Sequence, residues 1–142
     1  MSQTATKTEP ARKMLSFENV ELYYDHVYAL KGVSIELMEG ETVALIGANG
    51  AGKSSILRAI TGLRKIKSGT ISYMGERIDG RPAADIVKRG IAMVPEGRRV
   101  FPLMSVKDIL LMGAFTRTDK AGIEQTLDSI LPRFPRLKER FH

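Results

Sequence analysis

The 142-residue chain has no cysteine and no tryptophan, and aromatic residues make up only 6% of it. Without cysteine there can be no disulfide scaffold, no thiolate-bound zinc or iron–sulfur centre and no thiol nucleophile. Long apolar runs are missing too. Nothing approaches the roughly 18 to 20 residues of a membrane-spanning helix, and the polar start from Met1 to Lys13 lacks the apolar stretch of a signal peptide. These absences lead one to expect a chain that is cytosolic or peripheral to a membrane. Residues 1–13 read as a disordered tail. Size itself excludes little, since a chain this long buries roughly two-thirds of the surface its unfolded form exposes.

Charge is present in excess of one sign: 22 Lys+Arg against 16 Asp+Glu give a net +6. A basic surface attracts polyanions through counterion release. Here part of the excess sits in the end segments, on Lys7, Arg12 and Lys13 and on Arg133, Arg136, Lys138 and Arg140. No nucleic-acid partner is expected. A further cluster, Arg58, Arg64, Lys65 and Lys67, reads as a solvated helix end and loop.

The most informative segment starts with Thr42-Val-Ala-Leu-Ile46, a short β-branched and apolar run that predicts a buried strand. Gly47-Ala48-Asn49-Gly50-Ala51-Gly52-Lys53-Ser54 follows at once and completes G-x-x-x-x-G-K-[ST]. Ile56, Leu57 and Ile60 then recur at helical spacing, and Gly62 stands where a left-handed stop would fall. A chance match in a chain of this size is below about 1%, and the order strand, glycine loop, helix is the one the chemistry needs. Glycines let backbone N–H groups approach phosphate oxygens closely, and the helix adds the positive end of its dipole. Lys53 supplies a mobile positive charge for β- and γ-phosphates, and the Ser54 hydroxyl can ligate Mg²⁺. Upstream, residues 15–20 and 33–37 alternate apolar and polar residues, which predicts half-buried antiparallel strands before the loop.

From about Leu15 onward the chain resembles the ATP-binding subunits of ABC transporters. The resemblance rests on Tyr24 lying six residues before Leu30-Lys31-Gly32-Val33-Ser34, on the loop 47–54, on Ser68-Gly69-Thr70-Ile71, and on the segment from Ile91 to Leu111. It implies an α/β fold, a phosphate-loop NTPase core with an N-terminal antiparallel β layer and the start of a helical subdomain, spanning residues 14–142. It also implies that Tyr24 stacks on adenine, with Tyr23 and Tyr28 as neighbouring candidates and a core tyrosine as the alternative. Gly47, Asn49, Gly50, Ala51, Gly52, Lys53, Ser54 and Ser55 would wrap the triphosphate of ATP.

Residues 91–94 predict a short buried strand ended by Pro95. The family's glutamine, which reaches the Mg²⁺ and the attacking water, is here Glu96. An ionised carboxylate cannot donate a hydrogen bond, but it binds Mg²⁺ or its waters more strongly than an amide. Ser54 and Glu96 are therefore the metal candidates. The run Pro95-Glu96-Gly97-Arg98-Arg99-Val100-Phe101-Pro102 is similar to the second ATP-binding protein of branched-chain amino-acid importers, with urea and amide importers close to it.

Beyond it, Ser105 can cap a helix whose Val106, Ile109, Leu110 and Gly113 form one face, with Asp108 favourable to its dipole. A second helix starts at Asp119 and uses Ile123, Leu127, Ile130 and Leu131. Met93, Met104 and Met112 read as core filler. Phe101, Leu103 and Met104 stand where, by resemblance, a transmembrane permease subunit would dock, with ordinary packing under the loop as the alternative.

The resemblance also exposes what is absent: an apolar strand ending in Asp-Glu, a Leu-Ser-Gly-Gly-Gln signature and a later histidine. No catalytic set is complete. The expectation is an ATP-binding subunit truncated after its first helices, incomplete, marginally stable and inactive alone. In the complete subunit, ATP hydrolysis would power import of branched-chain amino acids. Its partners would be the permease, a second ATP-binding subunit in a homo- or heterodimer and, indirectly, a periplasmic binding protein, at the cytoplasmic face of the plasma membrane. The alternative is a non-hydrolysing nucleotide-binding or interaction fragment.

Overall fold

A computed structural model describes residues 12–97 and 99–141. Of the segments singled out above, residues 1–11 of the expected tail, Arg98 and His142 lie outside these. Lys13, at the end of that tail, opens the first strand and pairs with Glu36 of its neighbour. The chain divides into two compact units, one up to Met93 and the other from Val94 onward.

The first unit is built on an antiparallel sheet. Strand β1 (Lys13–Tyr24) turns at Asp25 and His26 into β2 (Val27–Met38), and β3 (Ser68–Tyr73) and β4 (Glu76–Arg77) complete the order β2-β1-β3-β4. The two alternating segments read from the sequence are thus parts of longer strands. Alternation slips one residue after Phe17, so that Val20 and Leu22 are buried along with it. The cause is a bulge. Between Glu18 and Glu21 three steps of β1 face two of β3, Thr70 to Ser68. Asn19, at φ 47°, sits in the bulge, and its N–H donates to Ser34 Oγ at 2.9 Å instead of to a ladder partner.

Helix α1 (Lys53–Ile60) lays Ile56 and Ala59 on the core of Phe17, Val20, Leu22, Leu30, Ile71 and Ile78. Gly62, at φ 70°, stands just past its end, as expected. A short helix α2 (Ala83–Lys88) adds the buried Ile86.

Two sequence expectations are corrected. Residues 42–46 and 91–94 are not strands, and Ile46 and Val94 are each 95% exposed. Their apolar runs suit a parallel strand covered on both faces, which requires hydrogen-bonded neighbours. Among the described residues the single sheet pairs with neither segment, so only Leu45 and Ile91 pack against the core and the rest of each run is left largely uncovered.

The second unit carries α3 (Val106–Met112), α4 (Lys120–Ile130), a 3₁₀ turn (Leu131–Arg133) and α5 (Pro135–Glu139). The expected faces meet: Leu110 and Gly113 from α3 line an apolar cleft with Ile123, Leu127 and Ile130 from α4. No described residue of this unit is fully buried. Met112 is 46% exposed, which corrects its reading as core filler, because it falls on the outer side of α3. Ser105 caps α3 as expected, its Oγ accepting the Asp108 N–H at 3.1 Å and donating to Asp108 Oδ2 at 2.7 Å. Ser105→Ala should cost about 1 kcal/mol of local stability. Hydrogen exchange reads it as faster exchange of the amides of residues 106–109, and unchanged protection would show the cap to be dispensable.

Candidate functional site

The glycine loop lies where β2 and α1 approach each other. Gly52 caps α1 at φ 92°, and a Cβ there would stand 2.9 Å from both the Ala29 carbonyl oxygen and Leu30 Cδ2. Only glycine allows both that backbone conformation and that closeness to the sheet. The residues between, 47–51, are exposed, and a turn closes from the Ala51 N–H to the Ala48 carbonyl at 3.1 Å.

Lys53 is folded back into this loop. Its ammonium donates to the carbonyls of Gly47 at 2.7 Å and Ala48 at 2.8 Å, and no carboxylate pairs with it among the described residues. A full positive charge is thus centred in a ring of backbone. The first intrahelical bond of α1 is from Ile56 N–H to the Gly52 carbonyl, which leaves the N–H groups before it without helical acceptors. Ser54, in the same turn, is exposed with a hydroxyl that bonds to nothing among the described residues. A cation without a counter-ion, unpaired N–H groups and a free hydroxyl form a donor set suited to phosphate oxygens and their metal. The candidates Gly47, Asn49, Gly50, Ala51, Gly52, Lys53 and Ser54 come together here.

Ser55 is buried in the first turn of α1, and its hydroxyl helps lower the Tyr24 phenol. Tyr24 closes β1 and packs partly buried against the core. Arg58, one turn beyond Ser55 on α1, places Nη1 3.5 Å from the Tyr24 hydroxyl, and Arg64 sets its guanidinium carbon 4.7 Å from the ring centroid. Burial raises the Tyr24 phenol, yet hydrogen bonds to Ser55 and Arg58 and the charges of Arg58 and Arg64 outweigh it and hold the group below its ordinary value.

Arg58 and Arg64 are exposed, as the reading of a solvated helix end and loop expects, and both also reach Tyr24. The spacing of Ser55 and Arg58, three residues apart on one helical face, is the signal that could have revealed half of it. Tyr23 and Tyr28 stack on each other at 4.4 Å across the hairpin. The hydrogen bond from Tyr28 to Glu21 pushes its phenol well up. Tyr24 is the tyrosine joined to the loop's helix.

Glu96 belongs to the second unit. It is exposed at a turn with Gly97 at φ 83°, and its carbonyl accepts from Arg99 Nε at 3.4 Å. Val100, Phe101 and Leu103 follow as exposed apolar side chains, Leu103 completely so.

Residues 30–139 match the ABC transporter family. The chain is 49% identical over 128 residues to the high-affinity branched-chain amino acid transport ATP-binding protein BraG of Pseudomonas aeruginosa, covering 90% of this chain and 54% of that protein. It is 31% identical over 125 residues to the probable branched-chain amino acid transport ATP-binding protein LivF of Archaeoglobus fulgidus, covering 88% of this chain and 52% of that one. Among solved structures, an ATP-binding subunit of an ABC transporter superposes with a TM-score of 0.75 at 31% identity, over 90% of this chain and 52% of the other. The chain spans about half the length of these relatives.

Proposed function

The chain belongs to the ABC transporter family, and from that premise we propose that it binds ATP with Mg²⁺ as part of an ATPase subunit powering import of branched-chain amino acids. The observation that carries the reading is the Lys53 ammonium, held by the Gly47 and Ala48 carbonyls at the start of α1 with no carboxylate neutralising it. Such a cation can exchange its carbonyl partners for phosphate oxygens without leaving the loop. Ser54 would hold Mg²⁺, and the metal would neutralise charge on the phosphates. Tyr24 would present its ring to adenine. Gly47, Asn49, Gly50, Ala51, Gly52 and Ser55 would line the phosphate path.

Import of branched-chain amino acids is supported by the names of the two relatives, both branched-chain amino acid transport ATP-binding proteins, and by Glu96 in the run from Pro95 to Pro102. Exposed Val100, Phe101 and Leu103 suit a docking surface for a permease subunit, which would put the protein at the cytoplasmic face of the membrane, paired with a second ATP-binding subunit. No helix among the described residues is long and apolar enough to cross a membrane.

Equilibrium dialysis of the purified chain against MgATP tests the nucleotide reading. Saturable binding with Kd below about 1 mM is expected, with no phosphate release above background. Absence of binding would reject the reading, and release that disappears in Lys53→Ala would reject the binding-only alternative. For the transported substrate, gene disruption should abolish uptake of labelled leucine; loss of labelled urea uptake alone would overturn the assignment.

A further inference from the structure

Arg64 occupies an unusual position for an exposed loop arginine. Its backbone N–H is bound to the Arg58 carbonyl at 3.1 Å, which fixes it just past the end of α1, and its guanidinium lies over the Tyr24 ring. No carboxylate pairs with it among the described residues. Arg58, by contrast, meets the ring at its hydroxyl edge. Tyr24 packs partly buried against the core, and Arg64 lies over its ring.

A stacked aromatic partner places its centroid about 4.5 to 7 Å from that of the ring it covers. The guanidinium, at 4.7 Å, stands in that layer. Arginine suits the place better than lysine because its planar, weakly hydrated head stacks on a ring face as a base does. We propose that Arg64 is a stand-in for the nucleotide base: it lies over the Tyr24 ring, the base must displace it, and Arg64 thereby sets how much the base contributes to affinity. The proposal rests on Tyr24 being the base platform. Arg64 is a positioning and selectivity residue on this view. It competes with the ligand for Tyr24 and does not clamp it.

The test compares Kd for MgATP with Kd for magnesium tripolyphosphate, which has the phosphates without the base, in the wild type, Arg64→Ala, Arg64→Lys and Tyr24→Ala. Loss of a cation weakens both ligands and largely cancels in the ratio of the two constants. Release of the ring face strengthens ATP alone. Arg64→Ala should therefore lower the ratio Kd(ATP)/Kd(tripolyphosphate) about two- to fivefold, the worth of one exposed cation–π contact, with Arg64→Lys between it and the wild type. Tyr24→Ala should raise the ratio and erase the effect of Arg64→Ala in the double variant. A ratio unchanged or raised by Arg64→Ala, with Tyr24→Ala behaving as expected, overturns the stand-in role alone. A ratio indifferent to Tyr24→Ala overturns the platform and the stand-in together, as does a wild type that binds neither ligand.

Discussion

Lys53→Ala is expected to weaken MgATP binding at least about a hundredfold while leaving the fold intact. Hydrogen bonds to charged groups contribute about 1.5 to 3 kcal/mol each, and Lys53 already makes two, at 2.7 and 2.8 Å, to acceptors weaker than phosphate. Two such bonds transferred to a triphosphate amount to two or more decades in affinity at about 1.4 kcal/mol per decade. Stability should hardly change. The carbonyls of Gly47 and Ala48 lie in an exposed loop, where water replaces the lost donor. Isothermal titration with MgATP and a urea melt separate the two effects. A variant that binds within about threefold of the wild type would remove Lys53 from the site, and one that fails to fold would show that the ammonium braces the loop.

Gly69→Ala should have the largest effect on stability. Gly69 lies under the β1 bulge at φ 92°, and a Cβ there would stand 2.5 Å from the Asn19 carbonyl oxygen, 2.6 Å from that of Glu18 and 2.7 Å from Val20 Cα. All three are backbone atoms of the central strand, none of which can rotate away. Left-handed strain and forced separation of β1 from β3 together should cost about 3 to 5 kcal/mol, a large share of the roughly 5 to 15 kcal/mol that holds a domain together. Gly75→Ala is the control: its φ is 83°, but nothing lies within 4 Å of its Cβ. It should cost only about 1 kcal/mol. Denaturant midpoints measure both, and equal losses would show that strain, not contact, makes Gly69 necessary.

What the sequence disclosed and what it hid divide along a physical line. The phosphate loop was legible because its chemistry is local: eight consecutive residues carry the glycines, the cation and the hydroxyl, and the structure brings them together. The caps at Gly62 and Ser105 were legible for the same reason. The strands 15–20 and 33–37 were legible in kind but not in extent, since alternation breaks at Asn19, where a bulge shifts the phase. Residues 42–46 and 91–94 show the reverse failure. Their apolar runs were real, but a strand needs neighbours, and periodicity says nothing of whether these exist. Arg58 and Arg64 were hidden because a tyrosine far upstream in the chain meets them only in three dimensions. Gly69 entered as part of a family motif, and the bulge supplies its reason.

The bond from Arg58 to Tyr24 has a mechanical consequence. Helix α1 begins at Lys53, at the end of the glycine loop, and five residues on its Arg58 reaches the tyrosine hydroxyl. Tilting α1 would move the loop's lysine and the tyrosine's ring in step. The helix therefore acts as a ruler fixing the span between them, and on the proposed reading a nucleotide would be gauged by the length it must bridge as well as by the chemistry at either end.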